Sequence, residues 1–288
     1  MRGLAEFIMR GRWQALAVAV LGAGSLLFGW VSAAAVALVT LRKGTSEGGW
    51  VVLWALLPAL LVAWVSGDSG SVLLLGGTFA LAVILRTSVN LPLAVAASAL
   101  VGLISGASLL LLSGDFLEQL VEVFEVVLEQ VAASLNTGSE SAITLPAPTA
   151  VQIAGILAGG NAATAVLSLL LARYWQAALY NPGGFRREFY ALRLPKLWTL
   201  IFAGAGLALW LQPSGLSSWA LMFLVPLSFY GFSLAHVWVS RNQGSNGRLV
   251  LFYCLWLLFD PIKGVVLALV LVDAIVDFRA RWTTGEPQ

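Results

Sequence analysis

Nine apolar stretches leave this chain little to fold into except helices in lipid. They run at 13–41, 49–66, 70–85, 91–112, 149–172, 198–212, 217–239, 249–259 and 262–278. A membrane-crossing helix needs about 20 apolar residues, or about 17 at the short end. Several runs meet that length and several fall short of it. Composition agrees: 59% of residues are hydrophobic and 10% charged, where a soluble domain carries about 25% charge. The reading is an all-α polytopic transmembrane helical bundle of about eight to ten membrane segments. Residues 1–288 form a single integral membrane domain with the lipid bilayer as its main partner.

Two runs are too long for one simple helix. The first spans 13–41 and carries Gly22, Gly24 and Gly29 near its middle, so a break is expected there. The last two runs meet at Asp260-Pro261. Aspartate is a good helix cap and proline a good first helical residue, so a new helix should start at Pro261. Each end of the chain is therefore expected to form a helical hairpin.

Charge supports that choice. With two terminal hairpins, fifteen of the sixteen basic residues fall on one side, and only Lys263 lies elsewhere, in the final break. If each long run were a single crossing, the basic residues would divide between the two sides. Positive charge near spans marks the cytoplasm. Both termini and a basic loop at 173–197 are thus expected there. Arg2, Arg10 and Arg12 before an apolar run imitate a secretory signal, yet the chain downstream is membrane-embedded too. The expectation is a retained anchor, with Trp13 at the interface.

The opposite side then receives 114–148. Residues 115–140 hold six acids and no base. Asp115, Glu118, Glu122, Glu125 and Glu129 recur at three and four, which puts them on one helical face. The other face is apolar. This is an extracytoplasmic amphipathic helix, either an ordinary connecting element or a cap or partner-docking one.

Enzyme signatures are missing: there is no His-Glu-x-x-His, Gly-x-Ser-x-Gly or phosphate-binding loop with its lysine. One cysteine, Cys254, and one histidine, His236, argue against a metal centre. No cofactor is expected, and membrane anchors interrupt the basic stretch too often for nucleic acid. The chain reads as a non-enzyme.

Small residues are better placed. Ala15, Ala19 and Ala23 repeat every four, as do Gly155 and Gly159. Such spacing lets helices approach closely, within the chain or against another subunit through the first helix. The intramembrane polar set is Asn161, His236, Asp260, Lys263, Asp273 and Asp277. Ionisable groups within spans face a cavity or a partner. Lys263 sits three residues after Asp260 and can pair with it. Asp277 has Arg281 four residues on. Asp273 lacks a partner on its own helix, so it needs a cation from another span, with Arg86 as the candidate, or a hydrogen-bond donor such as a neighbouring hydroxyl or water, or else a small solute.

Two stretches carry a resemblance. "NPGGFRREFYALRLPKLW" at 181–198 and "GVVLALVLVDAIVDFRARW" at 264–282 resemble the corresponding stretches of the YybS-like bacterial membrane proteins. That resemblance implies a multipass protein of the bacterial cytoplasmic (inner) membrane. The chain is also distantly similar to the substrate-binding subunits of energy-coupling-factor transporters. In those, an alanine pattern on the first helix meets the coupling subunit, and Ala15, Ala19 and Ala23 match it. More segments are present here than the usual six. Two roles follow: a small-solute transport component, or a membrane scaffold for envelope or growth machinery.

Overall fold

The computed structural model describes residues 2–25, 27–136, 144–212, 215–242 and 246–283, and among them every regular element is helical. In chain order these are α1 (Arg2–Arg10), α2 (Arg12–Ala23), α3 (Gly29–Lys43), α4 (Thr45–Ser66), α5 (Gly70–Ser88), α6 (Leu91–Ala96), α7 (Ser98–Leu112) and α8 (Gly114–Leu135). Then come α9 (Ala150–Tyr180), α10 (Gly184–Tyr190), α11 (Lys196–Trp210), a 3₁₀ turn (Leu216–Trp219), α12 (Ala220–Arg241), α13 (Asn246–Leu258), α14 (Asp260–Val276) and α15 (Phe278–Thr283). Among the described residues five helical stretches are long and apolar enough to cross a membrane: α4, α5, α6 with α7, α9, and α12 with its preceding turn; the bent pair α13 and α14 makes a sixth if it is one span. The chain is a multipass membrane protein.

Local chemistry sets the boundaries. Asn90 accepts the Leu93 N–H and Pro92 follows in the first turn of α6. Thr149 and Gln152 form a reciprocal capping box at the start of α9. Gly67, at φ 73°, closes α4 in the left-handed region.

The break expected in the first run occurs at residues 24–28, and α2 folds back on α3. The Ser32 hydroxyl donates to the Ala19 carbonyl at 2.6 Å. A Cβ on Gly22 would stand only 3.0 Å from the Ser32 Cβ, so the arms touch because both residues are small. At 1.5 Å per residue α2 is about 18 Å long, too short for a hydrocarbon core of about 30 Å. Helix α3 is the centre of the bundle. Every residue from Ser32 to Leu41 is buried, against α2, α4, α5 and α9. Ala15, Ala19 and Ala23 are buried with it. The alanine stripe thus packs inside the chain.

The terminal pair departs from a true hairpin. Helix α13 turns into α14 through 113°, short of an antiparallel return. Phe259 is extended at the corner and Pro261 lies in the first turn of α14, one residue inside its start at Asp260. Helix α14 packs on α12 and α11, and those contacts set the angle.

Basic residues collect at one end of the bundle. Arg12 lies 3.8 Å from the centre of the Trp50 ring and 3.4 Å from Glu47. Arg42 stacks on Tyr180 at the end of α9, and Arg86 donates to the Leu41 carbonyl at 2.6 Å. Arg173 pairs with Glu188 at 2.6 Å, and Arg186 donates to Ser240 at 2.8 Å. The start of α8 lies at the other end, where Ser113 meets Ser69 at 3.0 Å and Phe116 covers Gly67. Residues 137–143 of the expected outer loop lie outside the described residues.

Candidate functional site

The polar residue that the sequence leaves without a partner, Asp273, is 0% exposed. Val266, Val270 and Asp273 recur at four and three, which makes them one face of α14, and all three are buried. The opposing face on α12 carries Tyr230 and Gly231. A Cβ on Gly231 would sit 2.3 Å from a Val266 methyl, so only glycine lets the two helices come this close. The approach brings the Tyr230 hydroxyl to donate to Asp273 Oδ2 at 2.6 Å.

The C-terminal end of α14 completes the carboxylate's shell. Asp277 ends the helix at φ 54°, in the left-handed region. The chain then doubles back so that the Phe278 N–H donates to Asp273 Oδ1 at 2.8 Å. Arg193, from the segment between α10 and α11, supplies the cation. Its Nε donates to the Tyr230 oxygen at 3.3 Å and lies 4.0 Å from Asp273 Oδ2. One terminal nitrogen donates to the Asp273 carbonyl at 2.9 Å, and the other pairs with the Asp277 carboxylate.

Arg279 forms the second strand of the network. It donates to the carbonyls of Tyr190 at 2.5 Å and Leu192 at 3.0 Å, and to the Ser233 hydroxyl at 3.1 Å. Ser233 in turn donates to the Phe189 carbonyl at 2.7 Å. Two arginines and two aspartates therefore tie three pieces together: the 189–193 segment, α12 and the end of α14. The Ala280 N–H, at 3.1 Å from Asp277, and then Arg193 hold the Asp277 carboxyl below its usual range. Both oxygens of Asp273 accept protein donors. The chemistry on offer is that of a latch, not of a free acid or base.

The expected Asp273–Arg86 pairing is replaced, and Asp277 has a partner the sequence did not offer. Arg86 does not reach Asp273, because it is held at the Leu41 carbonyl on α3. Asp277 takes Arg193 across the bundle. Its own helix ends at that residue, so the four-residue step to Arg281 is not continued in α14. The Arg281 side chain lies outside the described residues.

The remaining polar positions are scattered. Asn161 donates to Ser105 at 3.3 Å and reaches the Gly70 carbonyl at 3.5 Å, near the start of α5. His236 shares a hydrogen bond of 2.9 Å with the Tyr253 hydroxyl and meets the Phe189 ring edge-on. Lys263 and Asp260 pair at 2.5 Å on the exposed first turn of α14. Gly155 and Gly159 admit the 3₁₀ turn and α12: a Cβ would lie 2.3 Å from the Ser218 hydroxyl and 2.7 Å from the Leu221 Cβ, respectively. Their role is internal packing.

Arg193, Tyr230, Ser233 and Arg279 were not singled out from the sequence as intramembrane partners. Arg193 left one trace, since it is flanked by Leu192 and Leu194, both buried. A basic residue between two core leucines signals an inward-turned charge. Tyr230 beside Gly231 in mid-span was the other trace. Compared with known proteins, the chain matches no family model, no curated protein and no solved structure.

Proposed function

We propose that this chain is a multipass protein of the bacterial cytoplasmic membrane, with its basic end and both termini in the cytoplasm. It works without catalysis, as a scaffold that docks a partner protein on the outer side through α8. The single observation that carries the docking role is the surface of α8. Its first two turns are anchored: Leu117, Leu120 and Val121 pack with Leu109, Ile153 and Trp219. Beyond them Val123, Phe124, Val126, Val127 and Val131 are exposed, although the helix lies past the end of the span at Leu112. At 100° per residue Val123, Phe124, Val127 and Val131 share a face opposite Asp115, Glu118, Glu122, Glu125 and Glu129.

An apolar stripe backed by acids fits an apolar groove rimmed by Lys and Arg. Helices that lie on anionic lipid carry basic polar faces instead, and α8 has none. The gathering of arginines at the other end supports the orientation through the positive-inside rule. The small-solute reading has less support, because Asp273, Asn161 and His236 all bond to protein groups. The tie to the YybS-like proteins rests on the two stretches at 181–198 and 264–282.

A photo-crosslinking residue at Val127 in living cells tests the docking role. A protein adduct of one fixed mass is expected, and it should disappear when Glu122, Glu125 and Glu129 are changed to lysine. Lipid adducts alone, or protein adducts indifferent to the charge reversal, would sink it.

A further inference from the structure

The basic end holds a second feature, which shares Arg193 with the latch. A cleft of about 160 Å³ opens beside Arg193, lined by Asn90, Pro92, Leu93, Pro195 and Trp198. From these residues we infer that the cleft binds a phosphate anion, with an anionic phospholipid head group as one source and free phosphate as the other.

Donors line the cleft. Asn90 uses its side-chain oxygen on the Leu93 N–H, which leaves its amide NH₂ for a ligand. Arg193 has five N–H groups, and its protein partners take one on each nitrogen, so two remain. Helix α11 opens at Lys196 with no side-chain cap, and the first-turn N–H groups of Lys196, Leu197 and Trp198 precede its ladder. Among the described side chains the nearby charges are Arg193, Lys196 and Arg279 against Asp273 and Asp277, an excess of one positive charge.

Exposed apolar residues follow the cleft along the helices that line it. Helices α7 and α11 both pack on α12. The cleft-lining face of α6 continues four residues after Ala96 at Leu100, and that of α11 continues three residues after Trp198 at Ile201. Both Leu100 and Ile201 are exposed. Trp198 stands at the mouth, where an indole suits the interface. Basic pockets between spans at the cytoplasmic face recognise lipid head groups in the same way.

Native mass spectrometry on the delipidated full-length protein tests the site. Phosphatidylglycerol should bind at least about tenfold more tightly than phosphatidylcholine, a gap of about 1.4 kcal/mol. Asn90→Asp and Lys196→Glu each place a carboxylate at the cleft without touching the Asp273 network, and each should lower that binding about tenfold. Arg241→Glu, at an exposed position of the same end, should not. Asn90→Leu serves if either charged variant fails to fold, and it should also weaken binding. Retention of phosphatidylglycerol in millimolar inorganic phosphate assigns the site to the lipid, and displacement assigns it to the free anion. Equal binding of both lipids with no uptake of phosphate, or variants that bind like the parent, would overturn the inference.

Discussion

Replacing Asp273 separates a structural latch from an idle buried charge. Asp273→Leu strips an acceptor from the Tyr230 hydroxyl, from the Phe278 N–H and from the field of Arg193 at once. Breaking one side of a buried ion pair costs about 3–5 kcal/mol in soluble proteins. Hydrogen bonds between spans are weaker, about 0.6 kcal/mol on average and up to about 1.7. Three lost interactions at an interfacial depth therefore put Asp273→Leu near 3 kcal/mol. Asp273→Asn keeps an oxygen for the Phe278 N–H and should cost about half as much. Denaturation of the purified protein in mixed micelles, followed by tryptophan fluorescence, reads both values. A double-mutant cycle then identifies the partner. Asp273→Asn with Tyr230→Phe should show coupling of about 1 kcal/mol, because the residues touch. Asp273→Asn with Arg86→Gln should add within about 0.5 kcal/mol, because they share no partner. Equal costs for Leu and Asn, or coupling to Arg86 in place of Tyr230, would refute the latch.

Orientation is open to a labelling experiment in a Cys254→Ser background: an impermeant thiol reagent on intact cells should reach a cysteine at Ser134 and leave one at Ser46 unlabelled. The reverse pattern would invert the topology. Gly231→Ala places a methyl 2.3 Å from a Val266 methyl, so it should destabilise the protein by about 1–3 kcal/mol, and Val266→Ala in the same chain should restore most of it. The Asp277 carboxyl is held below its usual range, so its contribution is fully present above the ordinary aspartate value of about 3.9 and is lost as pH falls through the lower folded value. Unfolding curves between pH 6 and 3, values chosen to bracket that range, should steepen toward acid in the parent more than in Asp277→Asn. Identical profiles would show that neither the Ala280 N–H nor the Arg193 contact stabilises the ionised carboxyl.

The apolar runs alone determined that the chain is a helical membrane bundle, because length and hydropathy act locally and need no knowledge of neighbours. The breaks were equally legible. Gly24 and Gly29 flank the gap between α2 and α3, the Asp260-Pro261 step opens α14, and Gly22 stays inside α2. Periodicity also read correctly along single helices. It placed the acids of α8 on one face and Asp260 within reach of Lys263.

Partners between helices were another matter. A period of 3.6 says which face a residue occupies and nothing about which helix lies opposite. Asp273 called for a cation, and the sequence offered Arg86 by depth alone. The structure answers with Arg193, 80 residues away along the chain, because Gly231 lets α14 settle on α12 beside the 189–193 segment. The alanines at 15, 19 and 23 had the pattern of an outward contact as much as an inward one. The fold-back at residues 24–28 laid them against α3, the most buried helix of the bundle. Asp277 reaches Arg193 for a similar reason. The left-handed turn that ends α14 at that residue is held by the Phe278 N–H bond to Asp273 Oδ1, and Asp273 is in place only after tertiary packing has buried it.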